Sequence, residues 1–195
     1  MKICVFSDSH GDPEPMLSLI GREEPDLCFF LGDGANDLQP VRRRYPGLIV
    51  HAVRGNCDLR SALPQSLTCT VEGVTFFAAH GHRYDVKHDP SLEALRAAGA
   101  EAGAQVILFG HTHLPYLENC SLPVLMNPGS VSGTRPDYGV LVLHEGRIYA
   151  QLKHLSNRRK SLKHRGNRAR PKKGAQNQPQ GLRRKNSVDQ ALIQA

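Results

Sequence analysis

Several features of membrane, secreted and repeat proteins are missing from this sequence of 195 residues. No apolar run approaches the roughly 20 residues that a membrane helix needs, and no internal repeat is found. The opening Met-Lys-Ile-Cys-Val-Phe-Ser-Asp segment is typical of a strand that enters a site, and it differs from a signal peptide. Five scattered cysteines without a Cys-x-x-Cys pair favour reduced thiols. We therefore expect a cytoplasmic protein that makes no contact with membranes.

Acidic residues are scarce at one end of the chain, so the formal net charge of +7 misleads as an average. Residues 1–157 contain 13 Lys and Arg against 17 Asp and Glu, a net charge of −4. Residues 158–195 contain 12 against 1, a net charge of +11, and include no aromatic residue. A segment of this composition cannot bury enough apolar surface to offset its conformational entropy. We expect one domain at residues 1–157 and a basic, disordered tail at 158–195, with a short helix at 188–194.

The basic tail has two interpretations. A run of like charges usually stays solvated and without a partner. Alternatively, the tail attracts RNA, DNA or another polyanion through counterion release. Such binding would be unspecific, because the tail has no aromatic side chain on which bases could stack.

The pattern of apolar residues predicts an α/β (α+β) fold. The first half alternates strands with helices, which is typical of a parallel sheet. The elements predicted there are residues 2–7, 13–24, 26–31, 37–45 and 48–53. The second half predicts two hairpins, a helix rich in alanine and a short buried strand. Those elements are residues 67–79, 92–102, 105–109 and 138–154, with short segments at 116–119 and 124–127. Hairpins after an α/β half indicate two packed β-sheets flanked by helices.

Five apolar runs end abruptly in residues that carry oxygen or nitrogen donors. The clearest run is Gln-Val-Ile-Leu-Phe, which Gly110 separates from His111 and His113. In open α/β sheets, ligand sites form beyond the carboxyl ends of the strands. The five endings therefore predict one shared rim. The donors gathered there are Asp8, His10, Asp33, Asn56, His80, His111 and His113.

The number and type of these donors indicate a metal site. Seven ligands are too many for one tetrahedral zinc ion, but they suit two ions of higher coordination number that share a carboxylate. Imidazole, carboxylate and amide donors favour Mn²⁺, Fe, Ni²⁺, Co²⁺ or Zn²⁺, and we expect Mn²⁺. Any one of these residues alone is as easily a turn residue or a helix cap. The prediction rests on their joint occurrence at strand ends.

Six short motifs follow one another along residues 8–130. They are Asp8-Ser9-His10, Gly32-Asp33, Gly55-Asn56-Cys57-Asp58, His80-Gly81-His82, Gly110-His111-Thr112-His113 and Asn127-Pro128-Gly129-Ser130. This ordered set resembles the calcineurin-like metallophosphoesterase superfamily, and more closely its small bacterial and archaeal phosphodiesterase branch. That branch shares its fold with the small retromer subunit. The resemblance covers about residues 1–155.

The resemblance implies a four-layer sandwich and a division of the ligands between two metal ions. The ligands implied for the first ion are Asp8, His10 and His113. Those for the second are Asn56, His80 and His111, and Asp33 bridges the two. Two such ions lower the pKa of a bound water toward about 7 and hold the attacking and leaving oxygens. We expect a dinuclear phosphodiesterase that hydrolyses a small phosphoester by in-line attack of a metal-bound hydroxide.

Further residues of the motifs are candidates for catalysis or substrate binding. Asp58 is a candidate to orient a ligand, and His82 to contact phosphate or donate a proton, with a turn position as the alternative for each. Many members of the wider superfamily have a histidine that protonates the leaving group where this chain has Cys57, a poorer acid for an alkoxide. Asn56, Cys57 and Asn127 are candidate substrate-binding residues, although a strand-ending turn is favoured for Asn127.

Two alternatives to a small-molecule phosphodiesterase remain open. A non-catalytic protein-binding scaffold of the same fold would use its surface and not its metals. A nucleic-acid-directed phosphoesterase would use the basic tail as a tether. The presence of all seven ligands favours an enzyme. A homo-oligomer is compatible with the sequence.

Overall fold

The computed structural model describes residues 1–155 and the backbone of residues 193 and 194. Its strands are β1 (Lys2–Phe6), β2 (Leu27–Phe30), β3 (Ile49–Ala52), β4 (Ser66–Val71), β5 (Val74–Ala79), β6 (Val106–Leu108), β7 (Tyr116–Glu118), β8 (Val124–Asn127), β9 (Asp137–His144), β10 (Arg147–His154) and β11 (Ile193–Gln194). Its helices are α1 (Glu14–Glu23), α2 (Leu38–Arg44) and α3 (Glu93–Glu101). None of the helices in this described part has the length and apolar character that a bilayer crossing requires.

The strands form two mixed sheets. The first sheet has the order β11-β10-β9-β1-β2-β3, and the second has the order β4-β5-β6-β8-β7. Strands β1, β2 and β3 run parallel to one another, as do β5, β6 and β8. Parallel strands deliver their carboxyl ends to one edge of a sheet. Each sheet therefore presents a row of strand ends on which a site can be built.

An apolar layer between the two sheets holds them together. The side chains of β1 alternate, so that Val5 lies in this layer while Phe6 faces the helices on the outer side. Phe29 of β2 stacks on Phe76 of β5 across the layer, with ring centroids 5.1 Å apart. Fully burying a side chain of this size stabilises the fold by about 1.5–3 kcal/mol. The shared layer thus fixes one sheet against the other.

The helices cover the outer faces of the sheets. Met16 and Leu19 of α1 pack against the first sheet, and Leu95 of α3 packs against the second. Gly99 of α3 lies so close to Ile107 of β6 that a Cβ at this position would sit 2.2 Å from the isoleucine Cδ1. The layers follow in the order helix, sheet, sheet, helix. This arrangement confirms the predicted four-layer sandwich.

The predicted elements are confirmed within residues 1–155, with small shifts at their ends. The helix predicted for residues 188–194 is wrong where the structure describes it. Residues 193 and 194 instead form β11, which pairs antiparallel with Arg147 and Ile148 of β10. An open edge strand offers unpaired backbone groups, and this pairing outweighs the local helical pattern. The boundary at residue 157 and the rest of the tail lie outside the described residues.

A buried carboxylate ties the first helix to the late hairpin. Glu23 of α1 accepts a hydrogen bond of 2.7 Å from the Tyr138 hydroxyl and bonds of 3.2 Å from Lys153 Nζ at both oxygens. Burial raises the pKa of Glu23, but the bonds from Tyr138 and Lys153 outweigh burial, and the pKa lies below its ordinary value. A lowered pKa stabilises the fold above the unfolded pKa of about 4.3. That stabilisation is lost as the pH falls through the folded pKa.

The Tyr138→Phe variant is expected to lower the free energy of unfolding at pH 7 by about 1–2 kcal/mol, because it removes a hydrogen bond to a buried carboxylate. Urea unfolding followed by circular dichroism measures the change. In the same assay, the wild type should lose more stability between pH 6 and pH 3 than Glu23→Gln, which has no proton to gain at this position. Tyr149→Phe, a change at a half-buried tyrosine of β10, is the control. An equal loss in Tyr149→Phe would contradict the role given to Tyr138.

Candidate metal centre

The two rows of strand ends meet at one rim, where the seven predicted ligands come together. Two clusters offer ligand atoms that all lie within 4.8 Å of one another. They are Asp8, His10 and His113 in the first cluster and Asp33, His80 and His111 in the second. Asn56 joins the second cluster, because its Oδ1 lies 3.2 Å from Nε2 of His80. The geometry therefore assembles residues that span more than a hundred positions of the chain.

The backbone is unusual at five of these seven residues. Each has a φ between 48° and 69°, in the left-handed region that residues other than glycine rarely adopt. The five residues are Asp8, His10, Asp33, His111 and His113. Such a conformation costs about 1–2 kcal/mol for each residue with a Cβ. Backbone strain of this kind is concentrated at functional sites, where it is tolerated because it orients a side chain toward the site.

Asp8 lies fully buried at the centre of the rim. Its Oδ2 accepts hydrogen bonds from the Ser7 hydroxyl at 2.5 Å and from the His111 N–H at 3.1 Å. Its Oδ1 accepts no hydrogen bond from any described residue. That oxygen lies 3.2 Å from Nε2 of His113 and 3.8 Å from Nε2 of His10. A buried carboxylate oxygen without a donor is costly, and a cation placed among these atoms would satisfy it.

Asp33 is the second carboxylate of the centre. Its Oδ1 accepts a hydrogen bond of 2.7 Å from the Cys57 N–H, and its Oδ2 lies 3.3 Å from Nε2 of His80. Burial raises the pKa of Asp33, but the bonds from His80 and Cys57 outweigh burial and hold that pKa well below its usual range. Asp33 is therefore ionised at neutral pH and offers an anionic oxygen on the side of His80.

The imidazoles present nitrogen atoms to these carboxylates. Nδ1 of His80 lies 2.7 Å from the Leu31 carbonyl, so this nitrogen donates its proton to the backbone. Burial lowers the pKa of His80, but its bond to Asp33 and the charges of Asp8 and Asp33 outweigh burial and raise that pKa. A metal ion bound at this position would take the place of the proton on Nε2. Burial and the charge of His80 lower the pKa of His111 to about 4, which keeps that ring neutral at pH 7. Both rings thus suit metal coordination.

Glycines allow the strand ends to approach each other closely. A Cβ at Gly110 would lie 2.0 Å from the Ser7 hydroxyl oxygen and 3.1 Å from Oδ2 of Asp8. At Gly32, where φ is +98°, a Cβ would lie 2.4 Å from the backbone nitrogen of Gly55. No side chain fits at either position. The glycines of the motifs are therefore required by the packing of the rim.

Asp58, predicted as a catalytic or orienting residue, holds two rim loops together. Its carboxylate accepts four backbone hydrogen bonds of 2.8–3.0 Å. The donors are the N–H groups of Asp33, Gly34, Ala35 and Gly55. Since both oxygens are engaged by the backbone, this geometry favours the orienting alternative. Asp58 positions the loops that carry Asp33 and Asn56.

The other predicted catalytic and substrate-binding residues fall into two groups. His82 lies beside the centre, with its ring centroid 5.4 Å from that of His80. The exposed Cys57 thiol lies 3.4 Å from Nδ2 of Asn56, and burial together with the neighbouring Asp33 raises the pKa of the thiol to about 11. These residues border the space that a substrate would enter. Asn127, in contrast, is fully buried beneath the rim.

Asn127 supports the histidine loop from below. Its Nδ2 donates to the Gly110 carbonyl at 2.9 Å and to the Thr112 hydroxyl at 3.0 Å, and its Oδ1 accepts from the Gly129 N–H. These bonds favour the turn interpretation over the predicted substrate contact. The physical reason is that the amide is occupied by the loop that precedes His113.

Sequence reasoning missed several residues that support the centre. Asp37 accepts hydrogen bonds from the Ser9 hydroxyl at 2.6 Å and the Gly11 N–H at 2.9 Å, which fixes the loop after β1. The Ser130 hydroxyl donates to the Asp8 carbonyl at 2.8 Å. A third cluster of possible ligand atoms joins Cys57 to His10 and Asp33. Ser130 ends one of the six motifs and Cys57 lies in another, whereas Asp37 has no signal beyond its position four residues after Asp33.

The residues of the rim fit divalent transition-metal ions. Two carboxylates, four imidazoles and one amide oxygen form the donor set that such ions prefer. A cation would satisfy Oδ1 of Asp8, which has no hydrogen-bond partner within the described part of the chain. The two-sheet fold and this donor set are those that the resemblance to the calcineurin-like metallophosphoesterases implied.

The chain belongs to the calcineurin-like phosphoesterase superfamily, whose domain matches residues 1–147. The chain is 30% identical over 148 residues to a probable metallophosphoesterase, YsnB of Bacillus subtilis, with 73% of this chain and 85% of the relative covered. It is also 30% identical over 171 residues to the phosphodiesterase YfcE of Escherichia coli, with 72% and 87% covered. The structure of Vacuolar Protein Sorting 29 from Cryptosporidium parvum has the same fold, with a TM-score of 0.67, 15% identity and coverage of 80% and 92%.

Proposed function

We propose that the chain is a dinuclear metal-dependent phosphodiesterase that works with Mn²⁺. The observation that carries this proposal is the buried Oδ1 of Asp8, which has no hydrogen-bond donor among the described residues and faces the imidazoles of His10 and His113. The ionised Asp33 belongs to the second cluster of ligand atoms, together with His80 and His111. A diester is proposed as the substrate because the relative YfcE is a phosphodiesterase.

The proposed ligands divide between two ions. Asp8, His10 and His113 would hold the first, and Asn56, His80 and His111 the second. Asp33 would bridge them, because its ligand atoms lie within 4.8 Å of His10 in one cluster and of His80 and His111 in another. Two divalent ions would supply Lewis-acid stabilisation of the phosphate oxygens and an acidified water. Ni²⁺, Co²⁺, Fe and Zn²⁺ suit the same donors.

The side chains of the rim would orient a phosphoester. Asp8 and Asp33 carry two negative charges against the four positive charges of two divalent ions, so the centre keeps positive charge that attracts phosphate. His82 lies where it could meet a phosphate oxygen. The Cys57 thiol, with its raised pKa, is neutral at pH 7 and is a weak proton donor toward an alkoxide. We therefore infer that esters with acidic leaving groups are cleaved fastest.

Hydrolysis of bis-p-nitrophenyl phosphate beside p-nitrophenyl phosphate tests the proposal. Metal-free protein should gain activity as Mn²⁺ is added, cleave the diester faster than the monoester, and lose this activity on addition of a chelator. The two substrates share a leaving group, so their ratio reports the preference for a diester. Faster cleavage of the monoester would refute the phosphodiesterase, and activity that survives chelation would refute the metal dependence.

A protein-binding scaffold is the second candidate function. Its support is the fold likeness to Vacuolar Protein Sorting 29. The two candidates make different predictions when metal binds, because the enzyme should hydrolyse diesters and the scaffold should not. Metal binding without turnover of any phosphoester would favour the scaffold.

A further inference from the structure

A groove of about 570 Å³ borders the loop that carries His111 and His113. Its volume falls within the range of sites that take small organic molecules. Most of its lining is apolar. Its apolar lining includes Val86, Leu92, Phe109, Leu114, Pro115 and Tyr116.

The histidine loop divides its side chains between the metal centre and this groove. His111 and His113 belong to the clusters of ligand atoms, whereas Thr112 and Leu114 line the groove. The hydrogen bond from Asn127 to the Thr112 hydroxyl fixes the loop between the two sides. The groove therefore borders the metal centre, with the backbone of Thr112 between them.

The groove exposes large apolar side chains to solvent. Leu114 is 70% exposed and Tyr116 is 37% exposed. The Tyr116 ring lies against Phe109, with centroids 5.9 Å apart, and its hydroxyl is held by Glu118 at 2.7 Å. This aromatic surface is pre-oriented, so a second ring could stack on it at little entropic cost. Exposed apolar surface next to a polar centre is typical of a ligand site.

The charge on the groove complements an anion. Lys87 is the one charged residue among those that line the groove, all of which belong to the described part of the chain. Lys87 shares the groove with Thr112, the residue between His111 and His113, so its positive charge lies on the groove that borders the histidine loop. A ligand that fits both features combines an apolar ring with a negative charge close to that ring.

We propose that this groove holds an aromatic ester group of the phosphodiester substrate. The phosphate would lie at the metal centre, the ring would pack on Leu114 and Tyr116, and Lys87 would offset the remaining negative charge. This inference rests on the proposed function. It assigns the substrate class as aryl or nucleoside-like phosphodiesters in preference to small alkyl ones.

Binding of two phosphonates to the Mn²⁺-loaded full-length chain tests the groove without turnover. Isothermal titration calorimetry should give a Kd for phenylphosphonate about tenfold lower than that for methylphosphonate, because only the phenyl group reaches the apolar surface. In Leu114→Ser this preference should fall to about twofold or less. Leu59→Ser is the matched control, since Leu59 is also a largely exposed leucine, 85% exposed, but lies on the other flank of the centre.

Equal affinities for the two phosphonates in the wild type would overturn the groove assignment. A preference that Leu114→Ser leaves intact, or that Leu59→Ser removes, would also overturn it, as would the absence of any phosphonate binding. Concentration-dependent dimerisation that Leu114→Ser abolishes, with equal phosphonate affinities, would assign the groove to a second copy of the chain. A phenyl preference in a protein that hydrolyses no phosphoester would support the groove while refuting the proposed function.

Discussion

The Asp8→Asn variant is expected to be more stable than the wild type when both are free of metal, and to lose the response to metal. In the wild type, a carboxylate is buried with one oxygen that no described residue satisfies. An asparagine amide would keep an oxygen in the place of Oδ2, where Ser7 and His111 donate. Its NH₂ group would face Nε2 of His113, which accepts a hydrogen bond when the ring proton lies on Nδ1. The substitution therefore removes a buried charge while keeping the contacts around it.

The expected size of both effects is large. Relief of a buried, unsatisfied group is worth about 1–2 kcal/mol, which raises the melting temperature of the metal-free protein by about 3–6 °C. Mn²⁺ should stabilise the wild type and leave the variant unchanged. Diester hydrolysis should fall by at least about a thousandfold, because the centre loses a ligand and a negative charge. Thermal melts with and without Mn²⁺, together with bis-p-nitrophenyl phosphate turnover, measure these changes.

Asp12→Asn is the control for this substitution, because Asp12 lies in the loop that follows β1 but is exposed. It should change neither the melting temperature nor the response to Mn²⁺. A metal-free Asp8→Asn protein that melts below the wild type would show that Oδ1 of Asp8 is satisfied without a cation. That result would remove the main support for the metal centre.

Replacing Asp58 by alanine is expected to lower the free energy of unfolding by about 3 kcal/mol. Four backbone N–H groups from two loops lose their common acceptor at once, and a water molecule cannot replace all four bonds. Because those loops carry Asp33 and Asn56, the affinity for Mn²⁺ should also fall by about 10- to 100-fold. Urea unfolding of the metal-free protein measures the first effect, and calorimetric titration with Mn²⁺ measures the second.

The comparison with Asp12→Ala separates this role from a general effect of removing an acidic residue of the rim. Asp12 accepts one long hydrogen bond, 3.3 Å from the Glu14 N–H, so its loss should cost little. If Asp58→Ala keeps the stability and the Mn²⁺ affinity of the wild type, the loops are held by other contacts. A loss of turnover alone, with both quantities unchanged, would instead support a direct catalytic role for Asp58.

The sequence predicted that the candidate metal ligands lie close together, because their signal is local. A buried strand appears in the sequence as a run of apolar residues. A residue with a donor atom just beyond that run must therefore lie at the end of the strand. The run that ends at His111 and His113 is the clearest case, and the structure places these residues beside Asp8 and His80. The two-sheet fold followed from the same runs, since alternating and continuous apolar patterns mark strands with different burial.

The supporting contacts could not be predicted in this way. Asp58 binds the backbone of a loop that lies 23 to 25 residues earlier, and no residue pattern encodes that approach. The role of Asn127 depends on the adjacent position of β6 and β8 in the sheet. The groove joins Val86, which precedes α3, to Tyr116 of β7. Such contacts form when elements that are distant in the sequence pack together. The residues at the strand ends do not specify that packing.

Counting bound Mn²⁺ in samples whose diester turnover is also measured tests the central claim most directly. Metal-free wild-type protein should bind two Mn²⁺ ions per chain, with turnover of bis-p-nitrophenyl phosphate rising as the second ion binds. Asp8→Asn should bind fewer ions and show no turnover. A wild-type protein that is fully active with one ion per chain, or that binds two ions equally well after Asp8→Asn, would contradict a dinuclear centre built on Asp8.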